Sequence, residues 1–391
     1  ALIQAAKSSK SDAVHPGYGF LSETAAFAEA VTEAGAKWIG PAPGILSSIE
    51  SKCHCRQLAQ RLGIPVTPGT LEPVKDIGEI LDTAHAVGVP ILLKLDKGGG
   101  GKGIELLEDV TDLQMVNAVY ERMRRIGEMA FASGDVYVEK AVINPRHIEV
   151  QFLADDFGNV VCLGERECSI QRRYQKMIEE SPSSVISKEE REELYGYTSS
   201  LIREMKYSGA GTIEYLRDQS GAFYFMEVNA RLQVEHPVTE YVTGLDLIEQ
   251  QIDIAKGKAL TLTQEEILLR GHAVECRIYA EDSETFMPSP GTISELHFPD
   301  TAGGRVRIEH AMRQGSVIPP YYDPMLAKVI TWGEDRSSAI ETMSTALKNF
   351  KVKGVKTTIE ANLAILQSEE FLAGDFDTSF LAKEKTGGDL K

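Results

Sequence analysis

Residues 223–235, with the sequence FYFMEVNARLQVE, alternate between apolar and polar side chains over most of their length. Successive side chains of a β-strand point to opposite faces of its sheet, so this period of two predicts an extended strand. If the extended path continues to residue 235, one face presents an acid, an amide, a guanidinium, a second amide and a second acid. The residues of this face are Phe225, Glu227, Asn229, Arg231, Gln233 and Glu235, and the opposite face carries Met226, Val228 and Leu232.

A second strand pattern, residues 211–216 (GTIEYL), precedes this stretch, and the short segment 217–222 joins the two. An antiparallel hairpin would bring Glu214 beside Glu227. Two carboxylates in apolar surroundings repel each other unless they are protonated or bridged by a cation. Oxygen ligands of this kind suit Mg²⁺ that is held jointly with the phosphates of a nucleotide. The alternative is a ladder of structural salt bridges on an exposed sheet face.

A glycine-rich segment, residues 94–103 (KLDKGGGGKG), follows an apolar strand. Glycines let backbone N–H groups approach an anion closely, and Lys94, Lys97 and Lys102 add positive charge. The segment therefore favours polyphosphate binding, although it is neither a Walker A motif nor a dinucleotide fingerprint. The alternative is a flexible linker or a hairpin tip.

A basic run, residues 166–176 (RECSIQRRYQK), carries four cations beside a predicted strand. A solvated charge run is the common explanation for such a pattern. Because this run lies between predicted core elements, we favour an anion pocket in which Lys176 and Gln171 make the contacts.

Two other predicted strands carry polar residues at alternate positions. His147, Glu149 and Gln151 share one face, and we interpret His147 as at most a hydrogen-bonding contact to a nucleotide, because no second zinc ligand is suitably spaced. Glu275 and Arg277 share a face of residues 273–278 (AVECRI). Arg277 fits a structural ion pair and the stabilisation of a developing oxyanion equally well.

Composition excludes several classes of protein. Lys and Arg total 41 against 58 Asp and Glu, and the resulting net charge of −17 argues against nucleic acid as a partner. No apolar run has the length of a membrane span, so we expect no membrane association. The five cysteines form no CxxC pair, which indicates free thiols in a reducing compartment such as the cytoplasm.

The pattern of elements changes along the 391 residues, a length that suggests two or three domains. Helices and short strands alternate through residue 66, which predicts an α/β unit. Residues 67–141 have βαβ character of their own, and from residue 142 longer strands with hairpins predict an α+β section. The chain begins abruptly in a helical pattern, so we expect that an N-terminal part is missing.

Six motifs together resemble the biotin carboxylase family, the ATP-grasp component of biotin-dependent carboxylases. They are HPGYGFLSE at 15–23, the glycine segment at 98–103, NPRHIE at 144–149, SIQRRYQK at 169–176, EVNARLQVEHPVTE at 227–240 and RGHAVECRI at 270–278. The resemblance implies a truncated N-terminal α/β domain (1–66), a mobile ATP-grasp lid (67–141), and an ATP-grasp core with a C-terminal biotin carboxylase domain (142–391).

The resemblance also implies how the nucleotide and the metal are bound. Lys52 and Lys94 would contact the ATP phosphates, under a lid containing Gly99, Gly100 and Gly101. Glu139, Lys140 and Val142 would line the adenine site, His147 would contact the ribose, and Gln171 and Tyr174 would lie in the nucleotide site. Glu214, Glu227 and Asn229 would hold Mg²⁺ or Mn²⁺.

For bicarbonate and biotin the implied roles centre on the opening stretch. Lys176, Arg231, Gln233 and Val234 would bind bicarbonate, Glu235 would be the base that deprotonates it, and Arg277 would stabilise the enolate of biotin.

The implied partners are a biotin carboxyl carrier protein or domain and a carboxyltransferase, in a homo-oligomer such as a dimer or in a larger complex. The implied location is the cytoplasm, or the mitochondrial matrix or plastid in a eukaryote.

Three departures from the family pattern stand out. Tyr174 replaces a histidine that many relatives carry, and Lys97 replaces the first glycine of a longer run. The family's N-terminal segment with its NRGEIA motif is absent, which would leave apolar surface exposed. No MKM biotinylation site is present, so the carrier would lie elsewhere.

Two alternatives stay open at this point. One is another ATP-grasp ligase, such as a domain of the large chain of carbamoyl phosphate synthase, which would lack the full set of motifs. The other is a non-catalytic module that binds nucleotide without turnover.

Overall fold

The computed structural model describes residues 1–98, 103–301 and 303–386 of the chain. The predicted lid contacts Gly99, Gly100 and Gly101 lie outside the described residues, as does Lys102. Within the described part, no helix is both long and apolar enough to span a bilayer. All five cysteines are buried free thiols, as expected.

The helices and strands have the following bounds. The helices are α1 (Leu2–Ser9), α2 (Ala25–Glu33), α3 (Pro43–Ile49), α4 (Lys52–Arg61), α5 (Ile77–Val87), α6 (Leu113–Phe131), α7 (Lys188–Glu204), α8 (His236–Thr243), α9 (Leu247–Ala255), α10 (Arg336–Asn349), α11 (Ile359–Gln367), α12 (Glu369–Ala373) and α13 (Phe380–Thr386). The strands are β1 (Ala13–Val14), β2 (Lys37–Trp38), β3 (Ile91–Leu95), β4 (Ile104–Leu107), β5 (Val136–Lys140), β6 (Arg146–Ala154), β7 (Val160–Arg172), β8 (Gln175–Ser181), β9 (Gly209–Arg217), β10 (Phe223–Asn229), β11 (His272–Tyr279), β12 (Gly291–Thr292), β13 (Glu295–His297), β14 (Val306–His310), β15 (Val317–Ile318), β16 (Met325–Gly333) and β17 (Lys351–Lys353).

The first part of the chain has the expected α/β character. Strands β1 and β2 pair in parallel, with α2 between them along the chain. Apolar residues of α2, α3 and α4, such as Ala28, Leu46 and Leu58, join one core with Ile148 of β6 and Tyr215 of β9. Packing against the large sheet therefore holds this part of the chain in place.

A three-stranded antiparallel sheet in the order β4-β3-β5 forms the middle of the chain, with its own core of α5 and α6 side chains. The sequence pattern missed β4. The crossover unit with parallel strands is β4-α6-β5, and β3 lies antiparallel between its two strands. Only eight residues join β3 to β4, too few for a parallel return, so the two strands form a hairpin. The domain boundaries at residues 66 and 141 stay a prediction.

An eight-stranded antiparallel sheet, in the order β10-β9-β6-β7-β8-β11-β16-β14, forms the rest of the framework. One face of this sheet packs on the apolar side chains of the two largest cores. The other face carries charged residues, and α8 packs against part of it through Val238 and Val242. We call this side the charged face, and its members are Glu227, Glu214, Glu149, Arg166, Glu179, Glu275, Arg277, Lys328 and Glu309.

A bulge in β10 corrects one part of the predicted strand parity. The register shifts between Phe225 and Glu227, so Phe225 points into the apolar core with Val228. Phe225 therefore does not share a face with Glu227, as the simple alternation predicted. Glu227 and Asn229 lie C-terminal to the bulge and still share a face, because the extra residue resets the alternation.

The predicted extension of the strand to residue 235 is also wrong. Strand β10 ends at Asn229, and α8 begins at His236. Pro237 lies in the first turn of α8, where its missing N–H group costs nothing, whereas a strand continuing through it would lose a ladder hydrogen bond. Gln233 and Glu235 therefore approach the charged face from a turn.

Gly127 of α6 tests the packing in the middle of the chain, and Gly196 of α7 is the control. A Cβ atom on Gly127 would lie 2.3 Å from the backbone oxygen of Ser133 and 2.8 Å from Leu95. Gly127→Ala should therefore lower the free energy of unfolding by about 1–3 kcal/mol. Gly196 of α7 has no atom within 4 Å of the same position. Gly196→Ala should therefore stabilise by about 0.5–1 kcal/mol, because alanine favours helix. Urea unfolding measures both changes, and equal effects of the two substitutions would contradict this packing.

Candidate active site

The ammonium group of Lys176 lies at the centre of the site. Its Nζ atom is 2.6 Å from Glu149, 3.0 Å from Glu214 and 2.6 Å from Glu235. Burial alone would lower the pKa of Lys176, but these three carboxylates raise it well above its usual value. Lys176 is therefore a fixed positive charge that joins three strands and the turn before α8.

The guanidinium of Arg166 lies beneath Lys176 and is completely buried. It donates five hydrogen bonds, which are all that a guanidinium has. The acceptors are Glu149, Gln151, Thr212, Gln233 and Thr239. Arg166 was predicted as part of an anion pocket, but all of its donors are engaged within the protein. It supports the site from below.

The carboxylate of Glu235 lies at the start of α8 and accepts from two cations. Lys176 is 2.6 Å from one oxygen, and Arg277 donates to the other at 3.0 Å. Burial alone would raise the pKa of Glu235, but Lys176, Arg277 and Arg166 outweigh it and hold the pKa well below its usual range. Glu235 is thus ionised and can accept a proton once these cations find other partners.

Arg277 bridges two carboxylates. Its Nε donates to Glu179 at 2.5 Å, while its Nη2 donates to Glu235. The sequence left Arg277 open between a structural ion pair and an oxyanion contact. The structure shows Arg277 in ion pairs with Glu179 and Glu235, which is the first of these two alternatives.

The three predicted metal ligands lie on neighbouring strands. Glu227 and Glu214 are directly opposite each other, and Asn229 follows on the same side of β10. Lysines hold both carboxylates, since Lys52 is 3.1 Å from Glu227 and Lys176 is 3.0 Å from Glu214. Carboxylate and amide oxygens are the ligands that Mg²⁺ prefers, so this donor set fits the ion.

The predicted nucleotide contacts lie at two places. Lys94 is 3.0 Å from Glu139, and Arg56 holds the other oxygen of Glu139 at 2.9 Å. Lys140 donates from Nζ to the backbone oxygens of residues 88 and 89. The side chains of Glu139 and Lys140 therefore both have partners within the protein, and the backbone N–H of Lys140 donates to the oxygen of Pro68 at 2.7 Å. Val142, two residues after Lys140, is half-buried.

Lys52 is the second predicted phosphate contact. Besides Glu227, its Nζ donates to the backbone oxygen of Gly98. Burial would lower the pKa of Lys52, but Glu227 raises it overall. Lys52 is therefore charged and lies between the end of β10 and the beginning of the glycine segment.

His147 joins the predicted ribose contact to the metal ligands. Its Nε2 is 3.0 Å from Glu214, and its Nδ1 is 3.2 Å from Gln171.

Tyr174 is more than half exposed, in the two-residue turn between β7 and β8 that it forms with Arg173. Both turn residues have positive φ, which suits such hairpins. Lys97 pairs with Glu50 at the surface.

The turn after β10 places the remaining predicted residues. Gln233 accepts from Arg166 and donates to Glu214 at 3.0 Å, and the backbone oxygen of Val234 accepts from Lys328. Arg231 donates to Asn229 and, through Nε, to Glu23 at 3.0 Å.

The sequence analysis did not predict several residues of the site. Glu23, Arg56, Glu179 and Lys328 all bind residues of the predicted set, and no local pattern identified them. Glu23 belongs to the HPGYGFLSE motif, and that membership was the one signal that could have found it.

Comparison with known proteins identifies this arrangement. The family model "Biotin carboxylase, N-terminal domain" matches residues 1–46, "Carbamoyl-phosphate synthase L chain, ATP binding domain" matches 51–263, and "Biotin carboxylase C-terminal domain" matches 275–383. Biotin carboxylase 2 of Bacillus subtilis is 45% identical over 380 residues, which cover 97% of this chain and 84% of that protein. The biotin carboxylase of a Nostoc species is 44% identical over 381 residues, which also cover 97% of this chain and 84% of that protein.

Solved structures of biotin carboxylases have the same fold as this chain. A biotin carboxylase from Campylobacter jejuni, in complex with β-γ-ATP, has a TM-score of 0.94 at 42% identity and covers 98% of this chain and 84% of its own. The biotin carboxylase domain dimer of Hydrogenobacter thermophilus 2-oxoglutarate carboxylase, with MgADP, ADP and bicarbonate, has a TM-score of 0.95 at 40% identity, covering 100% and 85%. The fold and the site thus define an ATP-dependent ligase of the ATP-grasp class. This chain belongs to the biotin carboxylase family.

The role of Arg166 as internal support can be tested by its removal. Arg166→Met should lower the free energy of unfolding by about 3–5 kcal/mol, because the buried carboxylate of Glu149 loses one of its bound cations and four further buried acceptors lose their donor. Arg61→Met removes an exposed pair with Glu204 and should cost no more than about 1 kcal/mol. Urea unfolding compares the two, and a loss for Arg166→Met as small as that of the control would contradict the supporting role.

Proposed function

We propose that this chain carboxylates biotin on a carrier protein, using ATP and bicarbonate, as the first half-reaction of a biotin-dependent carboxylase. The observation that supports this most is the position of Glu235. It is an ionised carboxylate between Lys176 and Arg277, beside carboxylates that fit a divalent cation. An anion-binding base next to a metal–nucleotide site is what the activation of bicarbonate requires.

In the first step, an oxygen of bicarbonate attacks the γ-phosphorus of ATP, and the bond to the β-phosphate oxygen breaks to release ADP. Bicarbonate would bind through Lys176, Arg231 and Gln233, and the backbone of Val234. As the new anion attracts Lys176 and Arg277, Glu235 loses part of its counter-charge and becomes more basic. Glu235 then takes the proton of bicarbonate, and the product is carboxyphosphate.

Positioning and neutralisation of charge contribute most to this transfer. Lys52 and Lys94 would move from Glu227 and Glu139 to the phosphates of ATP. Mg²⁺ or Mn²⁺ at Glu214, Glu227 and Asn229 would neutralise the phosphate oxygens. His147 would contact the ribose, while Glu139, Lys140 and Val142 line the adenine site and Gln171 and Tyr174 complete the nucleotide site.

In the second step, carboxyphosphate breaks into CO₂ and phosphate. The phosphate takes the proton from the ureido nitrogen of biotin, and that nitrogen forms a bond with CO₂. The negative charge that develops on the ureido oxygen would be stabilised by Arg277, whose guanidinium is already ordered by Glu179. A closed lid that includes Gly99, Gly100 and Gly101 would exclude water from carboxyphosphate.

The partners follow from the same chemistry. A biotin carboxyl carrier protein or domain would deliver biotin, and a carboxyltransferase would pass the carboxyl group to an acyl-CoA or 2-oxo acid. We also propose a homodimer, alone or within a larger complex, by analogy with the dimeric Hydrogenobacter domain. Its place would be the cytoplasm, or the mitochondrial matrix or plastid in a eukaryote.

An ATP cleavage assay tests the proposed reaction. Phosphate release should require both bicarbonate and Mg²⁺, should stop when EDTA removes the metal, and should increase when free biotin is added. Cleavage driven by glutamine or ammonia would instead identify another ATP-grasp ligase. A folded protein whose ATP cleavage ignores biotin would contradict the carboxylase proposal, and nucleotide binding without turnover would indicate a binding module.

Replacing Glu235 tests the base. Glu235→Gln keeps the size of the side chain but removes the proton acceptor, so kcat of bicarbonate-dependent cleavage should fall about 10²–10⁴-fold. The KM for ATP should stay near the wild-type value. Glu240→Gln, which removes a carboxylate paired with Arg307 from the same helix, is the matched control. Equal losses in both variants would assign the effect to the stability of α8.

A further inference from the structure

Glu275 is a buried carboxyl group that the proposed reaction leaves without a role. It lies in the middle of β11, on the charged face, between Ala273 and Arg277. Its side chain is fully buried, and neither of its oxygens has a hydrogen-bond partner within the described chain. Buried polar atoms are nearly always paired, so two orphaned oxygens on one carboxyl group call for a physical explanation.

Glu179 of β8 lies directly opposite Glu275 across the sheet. One of its oxygens accepts from Arg277, and the other is buried without a hydrogen-bond partner among the described residues. Directly opposite residues of an antiparallel pair have Cβ atoms about 4.5–5.5 Å apart, within reach of a contact between their carboxyl groups. Three orphaned carboxyl oxygens therefore belong to two side chains that face each other.

The cations near the pair are already engaged. Arg277 on the same strand binds Glu179 and Glu235, and Lys176 beyond it binds three other carboxylates. On β16, Lys328 binds Glu309 and the backbone oxygen of residue 234. Within residues 1–98, 103–301 and 303–386, Glu275 thus has no ion-pair partner, and two ionised carboxylates in this position would repel each other strongly.

We infer that Glu179 and Glu275 share one proton, and that this acid–carboxylate pair is a positioning device for Arg277. A proton on Glu275 lets its hydroxyl donate to the orphaned oxygen of Glu179, which satisfies two of the three unpaired atoms. Glu179 keeps its negative charge, and that charge stays directed at the Nε of Arg277. The importance of Arg277 for biotin rests on the function proposed above, whereas the shared proton does not.

The direction of the titration agrees with this geometry. Burial raises the pKa of Glu275 well above its usual value, and Glu179 and Glu235 add to the effect while Lys328 and Arg277 oppose it. Burial also raises the pKa of Glu179, to about 7, although Arg277 opposes that rise. The proton therefore belongs mainly to Glu275 and the charge to Glu179.

The pair of Glu179 and Glu275 would hold Arg277 in place during the second step of the proposed reaction, the carboxylation of biotin. Arg277 is held between Glu179 and Glu235, and Glu235 must give up its cations to act as a base. When it does, Glu179 still holds Nε, so the guanidinium stays in place and presents its Nη2 to the ureido oxygen of biotin. Without Glu179, Arg277 would be free to follow the substrate anion.

The infrared C=O stretch of a carboxylic acid tests the shared proton directly. Wild type at about pH 7, far above the usual pKa of glutamic acid, should show such a band that disappears in Glu275→Gln. Glu190→Gln, which removes a carboxylate of α7 that is paired with Arg217 and has a lowered pKa, is the control and should leave the band unchanged. A wild-type spectrum without the band, or a band that survives in Glu275→Gln, overturns the inference.

Stability against pH gives a second readout. Because the folded-state pKa of Glu275 is raised, folding takes up a proton above the unfolded pKa of about 4.3. Wild type should therefore lose up to about tenfold in its folding equilibrium per pH unit relative to Glu275→Gln, between about pH 5 and the folded pKa. A difference between the two proteins that is constant with pH contradicts the inference.

Kinetics of Glu179→Gln test the positioning of Arg277. Loss of a charge-assisted hydrogen bond should raise the KM for biotin about tenfold, while the KM for ATP stays at the wild-type value. Equal rises in both values contradict the positioning role. A wild-type enzyme that ignores biotin would refute the proposed function instead, while the infrared and stability measurements would still report on the proton.

Discussion

The fully engaged guanidinium of Arg166 is the interaction on which the site depends. It is buried under the charged face, and its five donors fix acceptors on β6, on β9, on α8 and in the turn before α8. Glu149 and Gln233, which it orients, are the same groups that hold Lys176 and Glu214. A buried charge without partners is very costly, so the network keeps all five hydrogen bonds of Arg166. These bonds fix the positions of Glu149 and Gln233, and thereby those of Lys176 and Glu214.

Each cation that would meet a substrate already has a carboxylate partner. Lys52 is paired with Glu227, Lys94 with Glu139, and Arg277 with Glu179 and Glu235. In the proposed reaction, an incoming anion would replace a carboxylate as the partner of a charged group that is already ordered, so little reorganisation would be needed. The same exchange would make Glu235, whose pKa these cations depress, basic only when an anion is present, as the proposed reaction requires.

Period-two alternation predicted much of the site from the sequence. It placed Glu227 with Asn229, and His147 with Glu149, on shared faces, and the short segment after β9 predicted the hairpin that sets Glu214 beside Glu227. It failed at the bulge before Glu227, because a bulge inserts one residue without a composition signal. It failed again after Asn229, where Pro237 in the first turn of α8 was the signal that the strand had ended.

The sequence by itself determined most strands of the large sheet, part of their polar faces and, through six ordered motifs, the family, because these depend on residues close together along the chain. Only the tertiary structure decided which charges meet. Lys176 binds carboxylates 27, 38 and 59 residues away, and Glu179 holds Arg277 at a separation of 98 residues. Such pairs depend on strand order and register across eight strands, and the period of a single strand carries no information about either.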